Sequence, residues 1–429
     1  MISALMLVLF VVAFVIGIPV SASLVLAAGV AMLLVGQDLI GIPQHMAASV
    51  RGLELMAIPF FILAAHLMMQ LGMIRKIFDF AEAALGWIRG GLAHANVLAG
   101  FVFSGISGAA VADAAALGSI AMKEMPRAGY SAPFAAAIVM SISTLGAIIP
   151  PSIMMVVYAI MADVSIARLF LAGVVPGILV ALSISALIAF YGAFRLTPMP
   201  DPPAFDGRRL LRTTWSALLA LFAPLVILRG MSAGFVTPTE AGVLASLYAL
   251  FVGCVERTIS VRAVYAALRD TVESSAHILF MIAASSAISY IFVAQGTAAS
   301  IATAFGDANL NAVTFLLLAT VVLLLIGCII ETMPALLISV PLLLPTANSL
   351  GIDPIHFGVL AIFNLLIGIM TPPMGIGLFI LSSVSGIRFG RLAWAAIPFV
   401  LLLIGMLLVL TFVPRLTLWL PDLLLPVNS

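Results

Sequence analysis

Two proline pairs stand at matching places in the chain, Ala147-Ile148-Ile149-Pro150-Pro151 and Ile369-Met370-Thr371-Pro372-Pro373. Proline has no N–H to donate, and its ring clashes with the carbonyl four residues back. Within a helix Pro150 therefore frees the carbonyl of Gly146 and Pro151 that of Ala147, while Pro372 and Pro373 free those of Gly368 and Ile369. At membrane depth such carbonyls coordinate sodium, and the N-terminal end of the next helical fragment attracts a carboxylate. One such pair reads most simply as a packing kink. Two pairs at equivalent places favour a site shared by a cation and an organic anion.

Other polar residues cluster near these breaks. The segment FSGISGAAVADAAALG (Phe103 to Gly118) offers the hydroxyls of Ser104 and Ser107 and the carboxylate of Asp113. Glu331 and Thr332 hold the comparable place in the second half, Thr371 adds a hydroxyl beside the freed carbonyls, and Asn364 lies one turn before Gly368. Polar and ionisable groups in lipid are costly and mark functional positions, so Asp113, Glu331 and Asn364 are candidates for substrate contact. A structural cap or hairpin hydrogen bond is the alternative for Asp113. Glu240, in Thr-Pro-Thr-Glu, reads as a helix cap.

Two short patterns resemble serine nucleophile motifs, Gly105-Ile-Ser-Gly108 and Gly230-Met-Ser-Ala-Gly234. The second follows a membrane helix and lacks the strand that a nucleophile elbow needs. The first would need a histidine within reach, and His66 and His277 belong to no recognisable motif. An intramembrane protease is thus the minor reading, and no catalytic residue is assigned. The five histidines and two cysteines, Cys254 and Cys328, show no ligand spacing for a transition metal. Neither lysine, Lys76 or Lys123, follows a glycine as in an ATP-binding P-loop. The expectation is no cofactor, with energy drawn from an ion gradient, Na+ being the ion the freed carbonyls suit, or from a partner.

The elements that must carry these residues follow from composition. The chain is 64% hydrophobic and 8% charged, so lipid is its solvent; a net charge of +1 gives no basic face for nucleic acid. An all-α polytopic bundle follows, because helices satisfy their own backbone in lipid. Ten crossings are expected, at 1–17, 19–36, 54–72, 131–161, 168–194, 214–229, 236–254, 274–293, 355–385 and 393–420. The first, without a basic leader or cleavage site, reads as a retained span. Two further apolar segments, 91–122 and 313–348, are broken in the middle by Ser104-Gly-Ile-Ser-Gly108 and by Gly327 to Pro334, and read as re-entrant hairpins.

Shifting the chain by 222 residues lays the second proline pair on the first, Gly368 on Gly146 and Gly351 on Gly129. The chain thus reads as two repeats, 1–194 with its hairpin and broken helix 131–161, and 214–420 with its hairpin and broken helix 355–385. A proline-rich, basic linker at 195–213 joins them. Five crossings per repeat make the repeats inverted. Placing the linker in the cytoplasm puts fourteen of the eighteen basic residues on that side, and the amino terminus in the periplasm.

The runs MAIPFFILAAHLM, SGISGAAVADAAALG, GYSAPFAAAIVMSISTLGAIIPPSIMMVVY, TPTEAGVLASLYALFVG and GIMTPPMGIGLF resemble the large membrane subunit of TRAP (tripartite ATP-independent periplasmic) transporters over nearly the whole chain. The resemblance implies an elevator-type sodium symporter of the bacterial inner membrane for small carboxylates such as C4-dicarboxylates or sialic acid. It implies two partners, a small four-helix membrane (Q) subunit and a periplasmic substrate-binding (P) protein. Because this chain opens directly on the large subunit, the small one is expected as a separate polypeptide. Carried over residue by residue, one sodium maps to Ser104, Ser107, Gly146, Ile149 and Pro151, and a second to Gly327, Gly368, Thr371 and Met374.

Overall fold

The computed structural model describes residues 2–426 apart from Ala109, Ala298, Ala302, 304–310 and Pro373; the side chains of Ile106, Ser107, Val111 and Ala112 also lie outside the described residues. Apolar runs become helices, and glycine or proline ends them. Helices α1 (Ile2–Val15) and α2 (Val20–Val35) are parted at Gly17, whose φ of 92° suits a residue without a Cβ. After α3 (Gly41–Ser49) and a 3-10 turn (Leu53–Met56) come α4 (Ala57–Gln70) and α5 (Met73–Leu85). The first hairpin is α6 (Gly91–Ser107) and α7 (Ala110–Arg127), turned at Gly108 with φ 63°. The first broken helix is α8 (Ala132–Ser143), a 3-10 turn (Thr144–Ala147) and α9 (Ile153–Ala162), followed by α10 (Ile166–Ala193).

The second half repeats this order. Helices α11 (Gly207–Ser232), α12 (Pro238–Val255) and α13 (Val261–Ala294) lead to a hairpin of α14 (Ala312–Ile329) and α15 (Thr332–Ser349). The second broken helix is α16 (Pro354–Gly368) with α17 (Ile376–Ser385), and α18 (Phe389–Phe412) and α19 (Arg415–Leu424) end the chain. Helices α8 and α16 begin at 132 and 354, a difference of 222, the same shift that aligns the proline pairs. Among the described residues eight helices are long and apolar enough to cross a membrane, and two of them are the arms of the second hairpin. The broken crossings and α1 and α2 are assembled from shorter apolar helices.

Apolar side chains point outward as well as inward. Leu182, Leu225, Leu247 and Leu401 are each more than half exposed, at 61%, 59%, 55% and 62%, while Ser141, Ser143 and Asn364 are buried. An apolar exterior around an interior that also holds polar residues fits a lipid surround. Helices α1 to α4 pack with α12 and α13, whereas α8, α10, α14, α16 and α18 form a second group with both hairpins. The repeats are interlocked within that second group: α7 lies on α17 and α15 lies on α9.

Several expected boundaries move, each for a local reason. The linker ends at Asp206, not at 213, because the Asp206 carboxylate accepts from the N–H groups of Arg208 and Arg209 and starts α11 there. Helix α13 begins thirteen residues before 274, where the Ser260 hydroxyl caps Ala263 N–H at 3.1 Å. The expected crossing 393–420 divides at Pro414, which cannot donate to continue α18. Helix α5 lies between crossings, with Met73, Ile77 and Phe78 buried, and Lys76 and Glu82 paired to Glu256 and Arg209.

One contact ties the two broken helices together. Tyr158 of α9 is fully buried, its hydroxyl donates to the Pro354 carbonyl at 2.5 Å, and its ring lies against Gly358 of α16. Tyr158→Phe keeps the ring and removes one hydrogen bond, an expected loss of about 1 kcal/mol. Gly358→Ala places a Cβ into the ring and is expected to cost more, about 1–3 kcal/mol. Thermal unfolding of the purified protein checks the order; equal midpoints would show that the ring contact yields freely.

Candidate transport site

The first hairpin meets the first broken helix through backbone. A Cβ on Gly108 would lie 2.8 Å from the Pro151 carbonyl oxygen, and one on Gly105 would lie 3.3 Å from that of Pro150. Gly146 has no room for a Cβ because the Asp113 carboxylate occupies that space. Asp113 is fully buried and accepts from the Ser104 hydroxyl at 3.1 Å. A carboxylate and a hydroxyl oxygen thus sit against the stretch of chain whose Gly146 carbonyl proline cannot cap. Oxygen donors around a backbone break are the ligand chemistry of a hard cation such as sodium. Ile149 is buried beside Gly177 of α10, while the side chain of Ser107 lies outside the described residues.

The second junction is closer still. A Cβ on Gly368 would fall 2.6 Å from the Gly327 Cα, so the hairpin and the broken helix touch backbone to backbone. Gly375 N–H donates to the Cys328 carbonyl at 3.1 Å across the same seam. The Thr371 hydroxyl donates to the Ile367 carbonyl at 2.7 Å, and Met374 is 48% exposed.

The carbonyls freed by proline are not all bare. Ala147 O accepts from the Ser152 hydroxyl at 2.8 Å, Gly368 O from Thr371 N–H at 2.9 Å, and Ile369 O from Gly377 N–H at 2.9 Å. The chain satisfies these groups locally, as buried backbone must be. Each carbonyl keeps its second lone pair. Pro373, four residues after Ile369, lies outside the described residues.

Between the two groups of helices lies a cavity of about 420 Å³, within the range of about 300–1,000 Å³ usual for small-molecule sites. One wall is built by helix beginnings. Gly108 and Ala110 at the start of α7, Ile153 and Met154 at the start of α9, and Glu331 and Thr332 at the start of α15 all line it. Three helix N-termini with their positive dipole ends thus converge from the hairpin side. The opposite wall is α13, which presents Asp270, Glu273, Ser274 and His277.

The chain matches, over residues 7–416, the family described as tripartite ATP-independent periplasmic transporter, DctM component. It belongs to that family. The sialic acid TRAP transporter large permease SiaM of Vibrio cholerae is 36% identical over 95% of this chain and 96% of its own length. The C4-dicarboxylate TRAP transporter large permease DctM of Pseudomonas aeruginosa is 39% identical over 86% of each. The solved Alcanivorax borkumensis YdaH transporter shares the fold, with a TM-score of 0.64 at 18% identity, over 89% of this chain and 88% of that one. The relatives are transport permeases and not enzymes, which removes the protease reading; the Gly230–Gly234 pattern sits at the end of α11 beside no strand among the described residues.

Within this chain the substrate candidates separate. Glu331 lies in the cavity wall. Asp113 belongs to the first junction, and Asn364 reaches from α16 to the second hairpin, where its Nδ2 donates to Thr320 O at 3.1 Å and its Oδ1 has no partner among the described residues. The wall from α13 was missed as a site. Its signal was present: Asp270, Glu273, Ser274 and His277 fall at i, i+3, i+4 and i+7, one face of a helix. Read by hydropathy alone, this stretch is only the margin of a crossing.

Proposed function

We propose that this chain is the sodium-coupled permease of a tripartite system, carrying a small carboxylate such as a C4-dicarboxylate, sialic acid or a related organic acid. In this reading the solute occupies the cavity between α13 and the hairpin tips, and sodium occupies the two hairpin junctions. The supporting observation is the convergence of the three helix N-termini on that cavity. The group holding the hairpins moves as one elevator body against α1 to α4, α12 and α13. Partners are a small membrane subunit and a periplasmic binding protein that delivers the solute, at a bacterial inner membrane. The amino terminus faces the periplasm, consistent with the bias of basic residues.

Uptake into proteoliposomes holding both membrane subunits, with the binding protein outside, is expected to need an inward sodium gradient. Uptake driven equally well without sodium would refute the coupling. Motion is tested with a Met281→Cys, Met333→Cys pair, on α13 and α15 facing one cavity, in a chain lacking Cys254 and Cys328. Crosslinking is expected to stop uptake and leave docking of the binding protein intact. Unchanged uptake after complete crosslinking would exclude an elevator. Pro150→Ala and Pro372→Ala should each raise the sodium requirement as the helix recloses. The Pro150 change should act more strongly, because Gly368 O is already held by Thr371 N–H. Equal sodium titrations in both variants and the parent would reject this role for the prolines.

A further inference from the structure

We infer that the cavity selects a solute with a single carboxylate at one end and hydrogen-bond donors, hydroxyl or ammonium, at the other, and disfavours dicarboxylates. The inference rests on the reading of this cavity as the solute site and narrows its substrate class. Its two walls offer different groups. The hairpin wall offers the N-terminal ends of α7, α9 and α15, which favour one negative group. The α13 wall offers Asp270 and Glu273, with His277 one turn beyond, and no lysine or arginine lines the cavity among the described residues.

A carboxylate settled at the helix ends leaves the rest of the solute facing α13. Ionised carboxylates only accept hydrogen bonds, so beyond the Arg269 pairing of Asp270 at 3.5 Å, outside the cavity lining, these two side chains are matched by donors from the solute. A hydroxyl or an ammonium supplies them. A second carboxylate would meet like charge with nothing to pair it, the kind of repulsive contact by which sites reject a wrong ligand. Glu331 puts a third carboxylate in the lining, on the hairpin wall beside the α15 N-terminus, and offsets part of the pull of the helix ends, which leaves them to hold one solute carboxylate and not two. Selection here acts after delivery, so it adds to whatever the binding protein chooses.

The test is ligand-induced thermal stabilisation of the purified permease in sodium, with four probes. D-Gluconate has one carboxylate and several hydroxyls, 4-aminobutyrate one carboxylate and an ammonium, butyrate one carboxylate alone, and succinate two carboxylates. Gluconate or 4-aminobutyrate is expected to bind at least tenfold more tightly than succinate and butyrate, and the stronger of the pair identifies the donor. In Asp270→Asn, Glu273→Gln protein that preference should shrink at least fivefold, with succinate gaining affinity. The ligand-free unfolding midpoint of the variant, and its response to sodium alone, establish that it is folded. Succinate binding as tightly as the donor-bearing probes, with a ratio unchanged by the double substitution, would overturn the inference while leaving the cavity as the solute site. No stabilisation by any probe in either protein would overturn the cavity assignment itself, and the inference with it.

Discussion

Replacing Asp113 by asparagine is expected to raise the sodium concentration for half-maximal uptake about a hundredfold, with little change in folding. The carboxylate is fully buried against Gly146 and accepts from Ser104 at 3.1 Å, so water does not screen it. A charge pair about 4 Å apart at an effective dielectric of about 20 interacts by about 4 kcal/mol. Desolvation of the ion offsets part of that, and a remaining loss of about 2.7 kcal/mol is a hundredfold in affinity. Asparagine keeps the shape and still has an oxygen to accept from Ser104, so the change isolates charge. Sodium titration of uptake, with Glu331→Gln as a cavity-wall control, measures it. A parent-like titration in folded Asp113→Asn protein would make this carboxylate a hairpin fastener and remove the first junction as a sodium site.

Gly368→Ala is expected to abolish uptake and to destabilise the protein by about 3 kcal/mol, the upper end for added volume in a packed interior. The added Cβ would meet the Gly327 Cα at 2.6 Å and the Cys328 nitrogen at 3.0 Å. Both are backbone, so no rotamer change relieves the overlap. The hairpin must back away, and the Gly375 N–H to Cys328 carbonyl bond across the seam goes with it. Gly390→Ala is the control, since nothing lies within 4 Å of a Cβ there and its backbone is helical. That change should leave the unfolding midpoint equal or slightly higher. Uptake by Gly368→Ala at the parent rate would show that close apposition at the second junction is dispensable.

Hydropathy and proline chemistry are local, and what depends on them was legible from residues alone. Lipid as solvent, the two hairpins, the two broken helices and the 222-residue repeat all follow from apolar length and from prolines that cannot donate. Membership of the DctM family is likewise carried by sequence. Even the misplaced linker boundary was readable, because Asp206 ahead of a helical run is an N-cap signal.

What only the tertiary structure decided are the partners across sequence distance. Proline removes a donor four residues on, but it does not say whether another group replaces it; Ser152, Thr371 and Gly377 do so for three carbonyls. Asp113 and Glu331 look alike as charges in apolar hairpins. One is nevertheless buried against Gly146 and the other lines the cavity, because each hairpin packs on a different set of helices. The polar stripe on α13 could face water, lipid or a site by its spacing alone. It became a cavity wall only because the chain brings it opposite three helix ends drawn from both halves.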